Sequence, residues 1–394
     1  MKNKRLLIKI SILVVILLGV LLALSGCIRG MTPIGWSGVA VSNGTLYTGS
    51  KEGRLVSVDL NSNNARKWAE PIKLPSTGGA GCSSIGGGAC GAPPPVVAIY
   101  GTPVLSNVPV LGNLVFLAGY NGKVYAYTAD TLQQRWVYPP EGNLRPIISS
   151  VVISGSTLYF GGTDGNVYAL DIATGAEKWK FSTGGEIWST PVIDNGLLFI
   201  SSFDKKVYAI DAATGTKKWE YTTGATNVAP PVVAGGTVYV GSLDRNLHAL
   251  NIADGSLKWK FGGNNFFWSK PIALSNVIYA PNLDRNVYGL NAGTGEKLVS
   301  YDVGGQVASW PVVINNRVIV ATRDGKVWSL DTNPANFSNS DNKKLITSLP
   351  AGIDVTAPLS ASGDSVYING SDNNIYIVNI TSGSISSPIS LKSQ

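Results

Sequence analysis

The chain has 394 residues, and 44% of them are hydrophobic, which is enough apolar material for a large core. Only 14% are charged, and four basic residues but no acidic residue precede position 27, so the formal net charge falls from +7 to +3 beyond that point. This modest charge argues against a nucleic-acid surface, and the single His excludes a multi-His metal site and a Ser-His-Asp triad.

The N-terminus carries the pattern of a secretory signal. Basic residues begin the chain, an apolar run covers residues 10–24, and Ser25 and Gly26 precede Cys27. These small residues before a cysteine resemble the lipobox of bacterial lipoproteins, in which the cysteine is lipid-modified and becomes the new N-terminus. We therefore predict a signal peptide at residues 1–26, a lipid on Cys27 and a tether at residues 27–35. A plain transmembrane anchor is the alternative.

A Gly/Pro-rich insertion at residues 71–101 follows the first strand-like segments of the chain. Its composition is typical of a loop. Cys82 and Cys90 both lie in it, and two cysteines in one loop of a secreted protein predict a local disulfide. Two free thiols are the alternative. No His lies nearby, so we expect neither cysteine to bind a metal or act in catalysis.

The chain then repeats itself with a period of 40 residues. Five repeats place an aspartate at the same point, at Asp164, Asp204, Asp244, Asp284 and Asp324. Each repeat contains four strand-sized pieces rich in Val, Ile, Tyr, Phe and Trp, and the aspartate lies in the turn between the second and third pieces. A fixed period of this length, built from strands, indicates a β-propeller.

Eight such units cover residues 36–394. Their second strands are centred on Tyr47, Phe116, Tyr159, Phe199, Tyr239, Tyr279, Ile319 and Tyr367. The third strands alternate large and small residues, as in Tyr168 and Ala169, so that neighbouring units can interlock. We therefore predict an all-β fold, an eight-bladed β-propeller of four-stranded antiparallel blades.

The residue types that carry chemistry have structural explanations in this pattern. Asp164 and its equivalents are expected to form hairpin turns whose tips stay apart around the rim. His248 replaces the tyrosine of a third strand and is expected to pack inside the propeller. We predict no catalytic residue, no metal site and no enzymatic activity.

The segment from Gly165 to Trp179 matches the PQQ-like propeller repeat almost residue for residue. One branch of that family, the quinoprotein alcohol dehydrogenases, holds pyrroloquinoline quinone and calcium, but its members are longer and carry a vicinal cysteine pair that this sequence lacks. The chain is similar in its overall organisation, with a lipobox, eight blades and no catalytic residues, to the BamB family, the lipoprotein scaffolds of outer-membrane β-barrel assembly.

The resemblance to the BamB family implies a monomeric scaffold without a cofactor. Such a protein would bind envelope proteins or peptides while anchored by its lipid to the outer face of the cytoplasmic membrane or to an outer membrane. A quinoprotein that binds pyrroloquinoline quinone and a surface carbohydrate-binding propeller are the alternatives.

Candidate binding residues lie in the segments that precede the innermost strand of each blade. In a propeller these segments lead into the central channel, where exposed aromatic side chains would suit a peptide or ligand. The alternative is that they plug the channel or pack between blades. The candidates are Tyr100, Arg145, Trp188, Phe267, Trp268, Lys270, Trp310 and Asp354.

Overall fold

A computed structural model of the protein describes residues 37–62, 64–67, 72–75 and 98–392. The predicted signal peptide and tether, Cys27, and the predicted disulfide between Cys82 and Cys90 lie outside these residues. Within them the regular secondary structure is β-strand, apart from one 3₁₀ turn at Pro334–Asn336. No helix in the described part is long and apolar enough to span a membrane.

The structure contains 33 strands in the described residues, numbered here in sequence order. The first four blades contain β1 (Val39–Ser42), β2 (Thr45–Gly49), β3 (Arg54–Asp59), β4 (Ala65–Arg66), β5 (Ile72–Lys73), β6 (Val104–Val108), β7 (Gly112–Gly119), β8 (Lys123–Thr128), β9 (Gln134–Tyr138), β10 (Val152–Ser154), β11 (Thr157–Gly161), β12 (Asn166–Asp171), β13 (Glu177–Ser182), β14 (Val192–Asp194), β15 (Leu197–Ser201), β16 (Lys206–Asp211) and β17 (Lys217–Thr222).

The last four blades contain β18 (Val232–Ala234), β19 (Thr237–Gly241), β20 (Asn246–Asn251), β21 (Leu257–Gly262), β22 (Ile272–Leu274), β23 (Val277–Pro281), β24 (Asn286–Asn291), β25 (Lys297–Asp302), β26 (Val312–Ile314), β27 (Arg317–Ala321), β28 (Lys326–Leu330), β29 (Lys343–Ser348), β30 (Ser360–Ser362), β31 (Ser365–Asn369), β32 (Asn374–Asn379) and β33 (Ile389–Ser390).

The described residues form eight antiparallel sheets, each made of consecutive strands. Blades 2 to 8 have four strands each, and in blade 1 both β4 and β5 pair with β3. Because adjacent strands in the sequence are adjacent in the sheet, each blade is a meander that a short hairpin can build. The predicted all-β, eight-bladed propeller is confirmed.

The repeated aspartate forms the hairpin turn between the second and third strands. In blade 3, Asp164 accepts a hydrogen bond from the backbone amide of Asn166 at 3.0 Å and another from the Tyr168 hydroxyl at 2.6 Å. Gly165 completes the turn with a φ of +81°, a conformation that favours glycine. The predicted turn-forming role is confirmed.

The hydrophobic core consists of eight clusters in the described residues, one at each boundary between neighbouring blades. Between blades 3 and 4, for example, Tyr159 and Val167 pack against Ile200 and Tyr208. A fully buried side chain of this size contributes roughly 1.5–3 kcal/mol. Each blade therefore depends on both neighbours, and the ring is the stable unit.

Tryptophans of the fourth strands join each blade to the next. The indole N–H of Trp136, Trp179, Trp219 and Trp259 donates to a backbone carbonyl of the following blade at 2.9–3.1 Å. Each ring also covers a turn glycine of that blade, where a Cβ would come within 2.6–2.8 Å of the ring. Blade 6 has Val299 at this position, buried in the cluster between blades 6 and 7.

The ring closes between blade 8 and blade 1 by side-chain packing and hydrogen bonds. Asn373 accepts from the amide of Lys51 at 3.3 Å and donates to Glu52 at 2.6 Å. The Ser360 hydroxyl donates to the carbonyl of Val39. Blade 8 takes its outermost strand from the end of the chain, so the two ends of the propeller meet without sharing a sheet.

Candidate functional site

The connection between one blade and the next lines the central channel. Its middle residue is a serine in five of the eight blades, and the hydroxyl points into the protein: Ser189 donates to Ser201 O at 2.8 Å and Ser309 donates to Ala321 O at 2.9 Å. Adjacent residues of an extended chain point to opposite sides. The residues on either side of this position therefore face the channel.

These flanking residues, together with a few from hairpin tips, enclose one cavity of about 390 Å³. A volume of this size is typical of a small-ligand or side-chain pocket. The lining residues are Tyr100, Ile148, Ser150, Trp188, Thr190, Val228, Trp268, Leu283, Gln306, Ala308, Trp310, Arg323, Thr356 and Pro358.

Four of the predicted aromatic residues meet in this cavity. Tyr100, Trp188 and Trp268 occupy the position before the middle residue in blades 2, 4 and 6, and Trp310 occupies the position after it in blade 7. The offset of two residues keeps Trp310 on the channel side because side chains alternate along the connection. The structure thus brings these four rings together, and their binding role stays a prediction.

Phe267 does not belong to this site. Its side chain is only 1% exposed and lies in the cluster between blades 5 and 6, where its ring centroid is 6.2 Å from that of Tyr288. The prediction that Phe267 faces the channel was wrong. Phe267 is adjacent to Trp268 in an extended segment, so its side chain points away from the channel and into the core between the blades. Arg145 is exposed and does not line the cavity either.

Lys270 lies next to the cavity, against one of its walls. Its Nζ is 5.8 Å from the centre of the Trp310 ring, a cation–π arrangement. In the described part of the chain no carboxylate lies within 4 Å of this ammonium. Burial lowers the pKa of Lys270 because the charged form is removed from water.

Arg323 is the one charged side chain among the residues that line the cavity. Its guanidinium lies 3.4 Å from the carboxylate of Asp354, and both side chains are about half exposed. Asp354 therefore contacts Arg323, which lines the cavity, but Asp354 does not line the cavity itself. An exposed pair at this distance contributes little to stability.

Two further aromatic walls, Trp188 and Tyr100, contact neighbouring aromatic rings. The Trp188 ring lies 4.7 Å from the Phe203 ring, and its indole N–H donates to Glu186 at 3.0 Å. Tyr100 lies 5.4 Å from Tyr120, and burial raises the pKa of Tyr100 to about 12. The Tyr100 hydroxyl therefore stays protonated at neutral pH and remains able to donate a hydrogen bond.

Several lining residues were missed by sequence reasoning. Ile148, Val228 and Ala308 occupy the same repeat position as Trp188 and Trp268, so the 40-residue period carried the signal that would have found them. Leu283 and Arg323 each precede a repeated aspartate at a hairpin tip. The expectation that the tips stay apart around the rim was wrong for these two, because their side chains reach inward to the cavity.

His248 is a packed residue, as its place in a third strand predicts. It is 3% exposed, with Nε2 at 2.9 Å from Asp244 and Nδ1 at 3.2 Å from the Tyr221 hydroxyl. Burial alone would raise the pKa of Asp244, but the hydrogen bonds from His248 and from two backbone amides lower it well below its usual value. Over the described residues, no group of three or more His, Cys, Asp or Glu side chains is placed to hold a metal ion.

Comparison with known proteins supports the same architecture. A crystal structure of BamB from Moraxella catarrhalis superposes with a TM-score of 0.65 at 18% identity, covering 88% of this chain and 95% of that one. The crystal structure of the computationally designed Ika8 protein gives a TM-score of 0.67 at 16% identity, covering 89% and 97%. At such identities the likeness shows the fold alone, and no curated protein sequence matches the chain.

A family model describes the repeats more directly. The model described as outer membrane protein assembly factor BamB matches residues 100–186, 179–265 and 269–394, which is well over half of the chain. The matched residues include all the strands of blades 3 to 8 and three of the four aromatic walls of the cavity, Tyr100, Trp188 and Trp310, whereas Trp268 falls between two matched ranges. The chain therefore belongs to this BamB family of PQQ-like propellers.

Proposed function

We propose that this protein is a non-enzymatic scaffold of the cell envelope that binds a protein partner at the mouth of its central channel. Membership in the BamB family supports a scaffold role at the level of the family. The observation that carries the proposal is the cavity, in which Trp188, Trp268, Trp310 and Tyr100 from four blades face one space of about 390 Å³.

The three tryptophan rings of the cavity leave apolar surface exposed to solvent. Trp188, Trp268 and Trp310 are only half-buried although they lie in the centre of the molecule. Large amphipathic rings at such a place bury much area on contact at a small entropic cost, which is why tryptophan is frequent among residues that dominate binding energy. The ring of blades holds them in place, so little order is lost when a partner binds.

Site-specific photo-crosslinking tests the proposal. Position 308 lies in the cavity and carries an alanine, so p-benzoylphenylalanine there would face a bound partner. Position 260, an exposed lysine on the outer strand β21, provides the control. We expect a specific adduct in intact cells from position 308 alone, identified by mass spectrometry and then confirmed by binding of the purified partner. An adduct pattern that is the same for both positions would contradict the proposal.

The membrane anchor is a separate part of the proposal and rests on the sequence. We propose that Cys27, which follows Ser25 and Gly26, carries a lipid that holds the propeller to a membrane. Several buried acyl chains would make such anchoring stable, since each buried methylene contributes about 0.8 kcal/mol. Metabolic labelling with palmitate should mark the wild type and not Cys27→Ala, whereas equal labelling of the two would refute the anchor.

The cofactor of the quinoprotein branch does not fit the residues of this cavity. Calcium prefers six to eight oxygen ligands that include carboxylates, but none of the lining residues carries a carboxylate. The sequence also lacks the vicinal cysteine pair of that branch. Mixing the protein with pyrroloquinoline quinone and calcium should therefore give neither tight binding nor dye-linked alcohol oxidation.

A further inference from the structure

We propose that the channel cavity captures the C-terminal end of a peptide, with the terminal carboxylate at Arg323 and the last, apolar side chain among the tryptophans. This inference rests on the proposed function, because it specifies the chemistry of the partner at the same site. It goes beyond that function by naming which part of a partner chain enters the cavity and which side chain recognises it.

The walls select an apolar group. Trp188, Trp268 and Trp310 supply ring faces from three blades, and Ile148 and Val228 add aliphatic side chains from blades 3 and 5. An aromatic or aliphatic side chain placed there would lose most of its contact with water and stack on at least one indole. A strongly hydrated side chain such as lysine would lose its hydration without gaining a carboxylate, because the lining residues include none.

The charge at the cavity selects an anion. Arg323 presents a guanidinium with five N–H donors, and one hydrogen bond to a protein group is made by that guanidinium, to Asp354 at 3.4 Å. The long distance and the exposure of both groups make this a weak pair. A ligand carboxylate can bind the free edge of Arg323 in two-point geometry, which is stronger than the contact with Asp354.

Lys270 adds a second positive group beside the cavity, next to the Trp310 ring. Its ammonium lies 5.8 Å from the centre of the Trp310 ring, and within the described ranges no carboxylate neutralises it. Because the group is largely removed from water, an approaching anion interacts with it more strongly than it would at the surface. Burial lowers the pKa of Lys270, so a bound carboxylate would also favour its protonated form.

The size of the cavity favours the end of a chain over an internal segment or a folded surface. A space of about 390 Å³ takes a side chain and its adjoining backbone, and a helix or sheet face does not fit into it. An internal segment of a peptide has no backbone carboxylate, whereas a C-terminal residue places a carboxylate next to its own side chain. That combination matches the cavity, in which the positive groups of Arg323 and Lys270 lie beside apolar walls.

Binding of short peptides tests the inference. The probe is a fluorescein-labelled Gly-Ser-Gly-Ser-Phe peptide with a free C-terminal carboxylate, compared by fluorescence anisotropy with the same peptide ending in an amide. We expect the free acid to bind at least about tenfold more tightly, which is the usual size of a charge-assisted two-point contact. Equal affinity of the acid and the amide would overturn the inference.

Three variants assign the recognition to named groups. Arg323→Gln and Lys270→Met should each reduce the preference for the acid over the amide. Asp354→Asn should tighten binding of the acid, since it removes the competing carboxylate. Arg285→Gln is the matched control, because Arg285 is an exposed arginine at the equivalent tip of blade 6 and does not line the cavity. If Arg323→Gln and Arg285→Gln have the same effect, the assignment to Arg323 is wrong.

The experiment also separates other sources of the same chemistry. Free 3-phenylpropionate and a peptide with an internal glutamate test a small organic acid and an acidic side chain. If either binds as tightly as the C-terminal peptide, the inference of C-terminal capture fails. Failure of all peptides, together with a specific adduct from position 308, would reject this inference and leave the proposed scaffold function standing.

Discussion

At the scale of single residues, the direction of a side chain decides between core and cavity. Phe267 and Trp268 are neighbours, yet the first is buried between blades and the second lines the channel. Sequence reasoning grouped them because the connection has no hairpin or strand partner to fix which residues point inward. The buried small residue at the middle of each connection, as at Ser189, supplied that reference.

Val110 offers a test of local backbone strain. It lies at the tip of the hairpin between β6 and β7 with a φ of +70° and a fully exposed side chain, at 104% of the reference area. A β-branched residue in this conformation is strained by roughly 1–2 kcal/mol. Val110→Gly removes the strain and loses no packing, so we expect a higher melting temperature in differential scanning calorimetry. A lower melting temperature would show that the valine packs against something in solution.

Asp244 offers a test of pH dependence. Its pKa in the folded protein lies below its usual value, so its contribution to stability is fully present above the unfolded pKa of about 3.9 and is lost as the pH falls further. We expect Asp244→Asn to be less stable than the wild type at pH 7, with a difference that narrows below about pH 4. Urea unfolding at several pH values measures this, and a difference that is constant with pH would be inconsistent with the assigned hydrogen bonds.

At the scale of the blade, the fold was predictable because several local signals agree. The Asp-Gly turns, the β-rich strands and the period of 40 all indicate the same meander, and the strands begin and end where those signals change. The contacts between one blade and the next were harder to predict from the sequence. The Trp179 indole, for example, covers Gly215 of blade 4 and donates to Ala212, a contact that the repeat pattern alone does not specify.

Gly215 tests this contact between blades. A Cβ there would come within 2.8 Å of the Trp179 ring, whereas a Cβ at Gly196 would meet nothing within 4 Å. Both glycines have nearly the same φ, +74° and +77°, so Ala at either position carries the same backbone strain. We expect Gly215→Ala to lower the free energy of unfolding by about 1–3 kcal/mol more than Gly196→Ala, because the ring must move. Chemical denaturation of the pair should show this gap, and equal losses would argue against the contact.

At the scale of the whole molecule, the number of blades was predictable but the closure of the ring was not. Blade 8 and blade 1 depart most from the regular repeat, and the residues that join them are far apart in sequence, as with Lys51 and Asn373. Closure matters for function because the cavity takes residues from blades 2 to 8. The site exists only when the blades stand in a ring, so no single repeat carries it.

The central claim is that the cavity is a binding site and its tryptophans are not structural plugs. Trp268→Ala tests it most directly when the melting temperature and the affinity for the crosslinked partner are measured on the same protein. Trp219→Ala is the matched control, since its ring is buried between blades 4 and 5 and donates to Ile252 O at 2.9 Å. We expect that control to lose about 3–5 kcal/mol of stability.

For Trp268→Ala we expect a nearly unchanged melting temperature and a loss of binding free energy of about 2 kcal/mol or more, roughly thirtyfold in affinity. A large fall in melting temperature with unaltered partner affinity would contradict the account.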